Sequence, residues 1–169
     1  MIILLFRHGP AGKADPARWP DDRVRPLTSR GVKRTTLAAR GLVGVVDSID
    51  LIVTSPLIRA AETARLLAEA AGVDRLQTLD LLAPGGSERK LIEFLRRQSK
   101  QGTVALVGHE PDLGRLAAHL AIGAGTLPLK KAGACALRVD DELGPGAAEL
   151  VWLLPPGTLR RLGRKKVKL

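Results

Sequence analysis

The chain's hydrophobic pattern declares itself at its start. Ile2-Ile3-Leu4-Leu5-Phe6 is an unbroken apolar run that turns abruptly polar at Arg7-His8-Gly9. A short, partly β-branched run without alternation predicts a strand covered on both faces, as in a parallel sheet. Two later segments have the same form, Asp50-Leu51-Ile52-Val53-Thr54-Ser55 and Gly102-Thr103-Val104-Ala105-Leu106-Val107-Gly108. Between them the spacing becomes helical. Thr28 opens a helix through Val32, Leu37, Ala38 and Leu42, its hydroxyl suited to capping the first free N–H groups. Pro56 is placed as the first-turn residue of a second helix, which carries Leu57, Ala60, Ala61, Ala64, Leu67, Ala68 and Ala71 and ends near Gly72. A short strand at 76–79 precedes a helix capped by Ser87, with Leu91, Ile92 and Leu95 on one face. Pro111 and Asp112 open a fourth helix with Leu113, Leu116, Ala117 and Leu120. Strands at 134–139 and 148–154, separated by Gly144-Pro145-Gly146, close the pattern.

This alternation predicts an α/β fold: a three-layer sandwich with a mostly parallel central sheet and helices on both faces. The length of 169 residues suits one domain. Its expected extent is 1–157, with a basic tail at 158–169. Residues 10–27 are rich in Pro, Asp, Arg and Gly and follow no period, so they read as a long loop near the site. Trp19 is the residue expected to pin that loop to the body.

Composition narrows the function classes. Apolar content is 45%, yet there are only two Phe, two Trp and no Tyr, which argues against a base-stacking surface. The single cysteine, Cys135, rules out an internal disulfide framework and a multi-cysteine zinc site, and its apolar neighbours make it a packing residue. The first residues lack the basic segment of a secretory signal, and no run reaches the ~18 apolar residues of a membrane span. A cytoplasmic protein with no membrane contact is expected. The net charge of +10 is uneven, because Arg160, Arg161, Arg164, Lys165, Lys166 and Lys168 crowd the last ten residues. That tail reads as a solubilising element or a weak polyanion contact, not as specific nucleic-acid recognition.

Candidate chemistry sits at three strand ends. The first offers Arg7 and His8, the second leads through Ser55-Pro56-Leu57-Ile58 to Arg59, and the third ends at His109. In a parallel sheet all three ends face one crevice, where α/β proteins hold their ligands. Two guanidiniums beside a helix start suit a phosphoryl group, whose oxygens match the guanidinium fork. One imidazole can attack phosphorus while the other bonds a non-bridging oxygen, since neutral imidazole is well populated near pH 7.

These residues resemble a family. Leu5-Phe6-Arg7-His8-Gly9, the block from Thr54 to Ala64, and Val107-Gly108-His109-Glu110-Pro111 resemble the three signatures of the histidine phosphatase (phosphoglycerate mutase-like) superfamily. Arg25-Pro26-Leu27-Thr28-Ser29-Arg30-Gly31 and the small size resemble its SixA-type phosphohistidine phosphatase branch. The resemblance implies a metal-independent phosphatase without a cofactor, with His8 as nucleophile and a phosphohistidine intermediate. It implies that Arg7, Arg59 and His109 bind the phosphoryl group, and it makes Arg25 a further substrate contact.

Two departures from the family bear on substrate. Relatives that act on sugar phosphates carry a hydroxyl residue and an Asn soon after the glycine, where this chain has Pro10-Ala11-Gly12. Their mid-chain glutamate motif with Trp and Gly is missing around Asp80–Glu88, which leaves Asp15, Asp80 and Glu88 as acid candidates. An alkoxide leaving group needs a proton donor, and general acid catalysis is typically worth about 10²–10⁴-fold. An imidazole leaving a labile P–N bond needs less help. A phosphorylated protein bearing phosphohistidine is therefore the expected substrate. A small phosphorylated metabolite (sugar phosphate or nucleotide) is the alternative within the fold, and a non-catalytic polyanion or nucleic-acid binder using the basic tail is the alternative outside it.

Overall fold

The computed structural model describes residues 1–140 and 142–164. Six strands form one mixed sheet: β1 (Ile2–Arg7), β2 (Leu51–Thr54), β3 (Leu76–Thr78), β4 (Thr103–Gly108), β5 (Ala134–Arg138) and β6 (Glu149–Leu154). Five helices complete the fold: α1 (Ser29–Val43), α2 (Ile58–Ala71), α3 (Glu88–Arg97), α4 (Asp112–Ile122) and α5 (Pro156–Leu162). The sheet order is β3-β2-β4-β1-β5-β6. The first four strands in that order run parallel, whereas β5 and β6 are antiparallel additions at the far edge.

β1 shows why the chain makes this architecture. Its side chains alternate faces, and both faces are covered. Ile3 and Leu5 enter a core with Leu91, Ile92 and Leu95 of α3 and Leu113, Leu116 and Leu120 of α4. Leu4 and Phe6 enter a second core with Ala38, Ala39 and Leu42 of α1, Ala60, Ala64 and Leu67 of α2, and Leu159 of α5. Burial of each such aliphatic side chain contributes roughly 1.5–3 kcal/mol. The expected three-layer α/β sandwich is the observed fold. Cys135 lies in the first core, where burial pushes its thiol up to about 12, so it packs and does not react.

Three local expectations differ from the structure. Pro56 precedes α2, which begins at Ile58 with Leu57 at its N-cap. Val32 is exposed; α1 buries the small-residue stripe Gly31, Thr35, Ala38 and Ala39 along with Leu42. The boundary at 157/158 falls inside α5. This helix packs against α1 so closely that a Cβ on Gly41 would overlap the Leu159 carbonyl, and one on Gly163 the Leu37 carbonyl. The part of the expected tail at 165–169 lies outside the described residues. Among the described residues, no helix is long and apolar enough to cross a membrane.

Candidate active site

The register of the parallel strands aligns three chain segments at one sheet edge. Arg7 is paired with Gly108, and Thr54 with Val107, so β1, β2 and β4 end level with one another. His8 follows β1, Ser55 follows β2 and leads into α2, and His109 follows β4. The His8 and His109 rings lie with centroids 5.0 Å apart. Arg7, on β1, and Arg59, in the first turn of α2, both act electrostatically on each of the two imidazoles. The structure thus brings together Arg7, His8, Arg59 and His109, the four residues expected to form the phosphoryl pocket.

The turn after β1 is tied down from several sides. The Gly9 amide donates to Thr63 Oγ1 (2.9 Å), whose hydroxyl donates in turn to the Arg59 carbonyl (2.7 Å). A Cβ on Gly9 would overlap the buried Thr35 hydroxyl, so this close approach of α1 demands glycine. His8 Nδ1 lies 2.7 Å from the Gly9 carbonyl. A carbonyl only accepts, so Nδ1 carries the proton and Nε2 keeps its lone pair. At His109 the logic runs the other way. The Leu57 amide donates to Ser55 Oγ (3.3 Å), which keeps a hydroxyl proton to offer His109 Nε2, 2.9 Å away. With Ser55 as the donor, the His109 proton sits on Nδ1, a buried atom without a hydrogen-bond partner.

Burial is the main cause that holds both imidazoles neutral. Burial lowers His8 to about 3, with His109, Arg59 and Arg7 adding to the effect. Burial also lowers His109 to about 4, with Arg59 and Arg7 adding again. These shifts carry a stability consequence. Unfolded imidazoles titrate near 6.5, so below that pH the unfolded chain binds protons that the folded chain refuses. The contribution is therefore fully present above about pH 6.5 and is lost as pH falls toward 4. Thermal unfolding followed from pH 7.5 to 4.5 is expected to show a falling midpoint. The double variant His8→Asn/His109→Asn is expected to lose most of that slope, and an unchanged slope would assign it to other groups.

The guanidiniums are fixed through their outer nitrogens. Arg7 Nη1 donates to the Leu129 carbonyl (2.7 Å), and the Leu129 amide donates to Glu110 Oε1 (3.1 Å). Arg59 Nη1 donates to the Asp22 carbonyl (2.8 Å), and its Nη2 pairs with Asp22 Oδ2 (3.0 Å). Arg25 is buried beside them, its Nε on Asp22 Oδ1 (2.6 Å) and its Nη1 on the Gly12 carbonyl (2.6 Å). The Arg25 hydrogen bond, with the Arg59 charge behind it, holds the Asp22 carboxyl below the usual carboxylate range. Arg7 Nε and Arg59 Nε are buried without partners, like His109 Nδ1. Buried donors left unpaired are costly unless an acceptor is supplied. Three such donors on three site residues make an arrangement able to receive the oxygens of a phosphoryl group.

Comparison with known proteins agrees with this chemistry. The sequence profile described as "Histidine phosphatase superfamily (branch 1)" matches residues 3–83. Phosphohistidine phosphatase SixA of Escherichia coli is 30% identical over 163 residues, covering 95% of this chain and 97% of that protein. The chain belongs to the histidine phosphatase superfamily. An uncharacterized protein of Picosynechococcus sp. is 42% identical over 168 residues, covering 92% of this chain and 100% of its own. Among solved structures, the protein histidine phosphatase SixA complexed with tungstate superposes with a TM-score of 0.83 at 25% identity, covering 94% of this chain and 99% of that one. This histidine phosphatase is thus a SixA-type phosphatase in fold and sequence.

Several residues of this phosphatase's site escaped the sequence reading. Asp22 sits in a 3-10 turn (Asp22–Val24) of the 10–27 loop and joins Arg25 to Arg59. Glu62 accepts from the Leu27 amide (2.7 Å) and fastens the same loop to α2. Trp19, the residue expected to pin that loop, is half-buried and stacks beneath the guanidinium of its own loop neighbour Arg18, whose carbon is 5.3 Å from the ring centroid. Thr63, Ser55 and Glu110 lie inside the recognised blocks, but their partners are visible only in three dimensions. Of the three acid candidates, Glu88 lines one cavity with His109, but among the described residues none of Asp15, Asp80 and Glu88 hydrogen-bonds to either imidazole or to Arg7 or Arg59. Glu88 instead pairs with His119 (3.2 Å).

Proposed function

We propose that this phosphatase removes the phosphoryl group from protein phosphohistidine in two displacements at phosphorus. In the first, the His8 Nε2 lone pair forms a bond to phosphorus as the P–N bond of the substrate breaks. The departing imidazole, protonated at its other nitrogen, leaves neutral. In the second, water forms a P–O bond as the His8 P–N bond breaks, releasing orthophosphate and restoring the imidazole. Arg7 and Arg59 bind the non-bridging oxygens, and His109 Nδ1–H donates to one of them as charge builds in the transition state. Arg25 acts one step back: through Asp22 it sets the position of Arg59.

The observation that carries this reading is the His8 tautomer. Its Nδ1–H is held by the Gly9 carbonyl, which leaves Nε2 as a neutral nucleophile beside three unpaired donors. The absence of a carboxyl contact to either imidazole among the described residues favours a leaving group that needs little acid help. SixA of E. coli is named for phosphohistidine, which supports the same substrate class.

The test is a substrate panel under one set of conditions. A phosphohistidine-bearing protein is compared with sugar phosphates, nucleotides and p-nitrophenyl phosphate. The phosphohistidine substrate is expected to give the highest kcat/KM. A sugar phosphate or nucleotide ahead of it would overturn the assignment in favour of a small-molecule phosphatase.

A further inference from the structure

A groove beside the phosphoryl pocket collects cations that the proposed chemistry does not use. It has a volume of about 350 Å³ and is lined by Arg7, Arg34 of α1, Lys130, Lys131, and Arg160 of α5. Only Arg7 is shared with the site described above. Arg34 and Arg160 are half-buried, and Lys130 and Lys131 are exposed. Among the described residues none of these five forms an ion pair with a carboxylate, whereas five arginine–carboxylate pairs occur elsewhere among them. Like charges gathered without counterions repel one another, so the cluster is a liability for the free protein.

The backbone that presents the lysines is specifically held. Ala132 adopts a left-handed conformation at φ 58°, which a residue with a Cβ avoids unless its surroundings fix it. Here they do: the Ala132 amide donates to both the Arg7 and the His8 carbonyls (3.1 Å each). The Leu129 carbonyl, three residues earlier, is the one that binds Arg7. Lys130 and Lys131 therefore ride on a segment locked to the end of β1. Burial, together with Arg7, Arg25 and Arg59, lowers the Lys131 ammonium. Burial, together with Arg34 and Arg164, lowers Arg160. Each sits in a positive field, and a carboxylate arriving there would relieve it.

We infer that this groove is a docking site for acidic side chains flanking the phosphohistidine of the protein substrate. Lys130, Lys131, Arg34 and Arg160 would receive the carboxylates while the phosphoryl group enters between Arg7 and Arg59. The inference rests on the phosphohistidine reading given above and deepens it. It explains why cations of the C-terminal segment, through Arg160, lie against the catalytic face. Its lysines are exposed on the surface, within reach of a docked polypeptide, and unpaired positive charge selects an acidic one.

The test uses two phosphohistidine peptides of equal length, one with Glu flanks and one with Gln flanks. At low salt the wild-type protein is expected to favour the Glu peptide by about tenfold in kcat/KM, an advantage that shrinks toward unity at 0.5 M salt. The triple variant Lys130→Glu/Lys131→Glu/Arg160→Glu is expected to lose or invert that preference while p-nitrophenyl phosphate turnover stays within about twofold. Should that variant fold poorly, Lys130→Glu/Lys131→Glu alone changes only exposed side chains and is expected to remove most of the preference. Equal turnover of the two peptides by the wild type, or a preference that survives reversal, overturns the groove. If neither peptide is hydrolysed while the ester is, the phosphohistidine reading fails. The groove is then judged by inhibition of ester turnover: inhibition by an unphosphorylated Glu peptide that is lost on reversal supports it, and no inhibition overturns it. Equal inhibition by a single-stranded oligonucleotide also overturns it, in favour of a general polyanion surface.

Discussion

His8→Ala is expected to lower turnover of a phosphoramidate or phosphate ester by at least about 10⁴-fold, with little change in KM. The size follows from what remains at the end of β1. Arg7 is a cation with no acceptor, and His109 Nε2 is occupied by the Ser55 hydroxyl, so no other lone pair is presented there. Binding depends on the guanidinium donors, which the substitution leaves in place. The fold is expected to survive, because the one hydrogen bond of the His8 side chain is to its neighbour's carbonyl. Steady-state kinetics in chelator-treated buffer, with thermal unfolding as a control, measure the effect. Near wild-type turnover would remove His8 from the nucleophilic role.

Arg59→Ala is expected to cost about 10²–10³-fold in kcat/KM, the range for losing one preorganised donor to a developing oxyanion. Two effects combine. The buried, unpaired Nε–H is lost, and Asp22 loses the partner that neutralises one of its oxygens. A carboxylate left closer to free then faces an anionic substrate. Arg59→Lys restores charge without the fork that holds the Asp22 carbonyl and carboxylate together, so partial recovery is expected. Asp22→Asn separates the contributions, since it keeps Arg59 and its bond to the residue 22 carbonyl but replaces the charged carboxylate contact with a neutral amide. Unchanged kinetics for Arg59→Ala would mean that the ends of β1, β2 and β4 do not form one working pocket.

What the sequence displayed and what it hid follow a physical rule. Arg7, His8, Arg59 and His109 were legible because each is placed by a local pattern: an apolar strand followed by a polar turn, or a polar residue opening a helix. Parallel strand ends fall on one edge, so three local patterns sufficed to locate a pocket. Asp22 was hidden because its role depends on an aperiodic loop folding back onto α2, and nothing local records that closure. The Leu129–Ala132 segment was hidden for a different reason. A left-handed turn is usually announced by glycine, and here an alanine is held in that conformation by tertiary hydrogen bonds. α5 was masked by its own charge. Its cations suggested a solvated tail, whereas Leu159 is fully buried and small residues let α5 and α1 approach closely. Likewise the α1 pattern placed Val32 on the buried face with Ala38 and Leu42, but close packing selected Gly31, Thr35 and Ala39 beside those two and left Val32 exposed.

The central claim is that the phosphoryl group rests on His8 between substrate and water. Rapid quenching into alkali, which preserves phosphohistidine, during a first turnover of a phosphoramidate gives the direct test. Proteolysis and mass spectrometry then locate any protein-bound phosphate. The account predicts a transient phosphoryl group on the peptide containing Arg7-His8-Gly9, carried by His8. Phosphate on another residue, or none at any quench time as turnover proceeds, would contradict it.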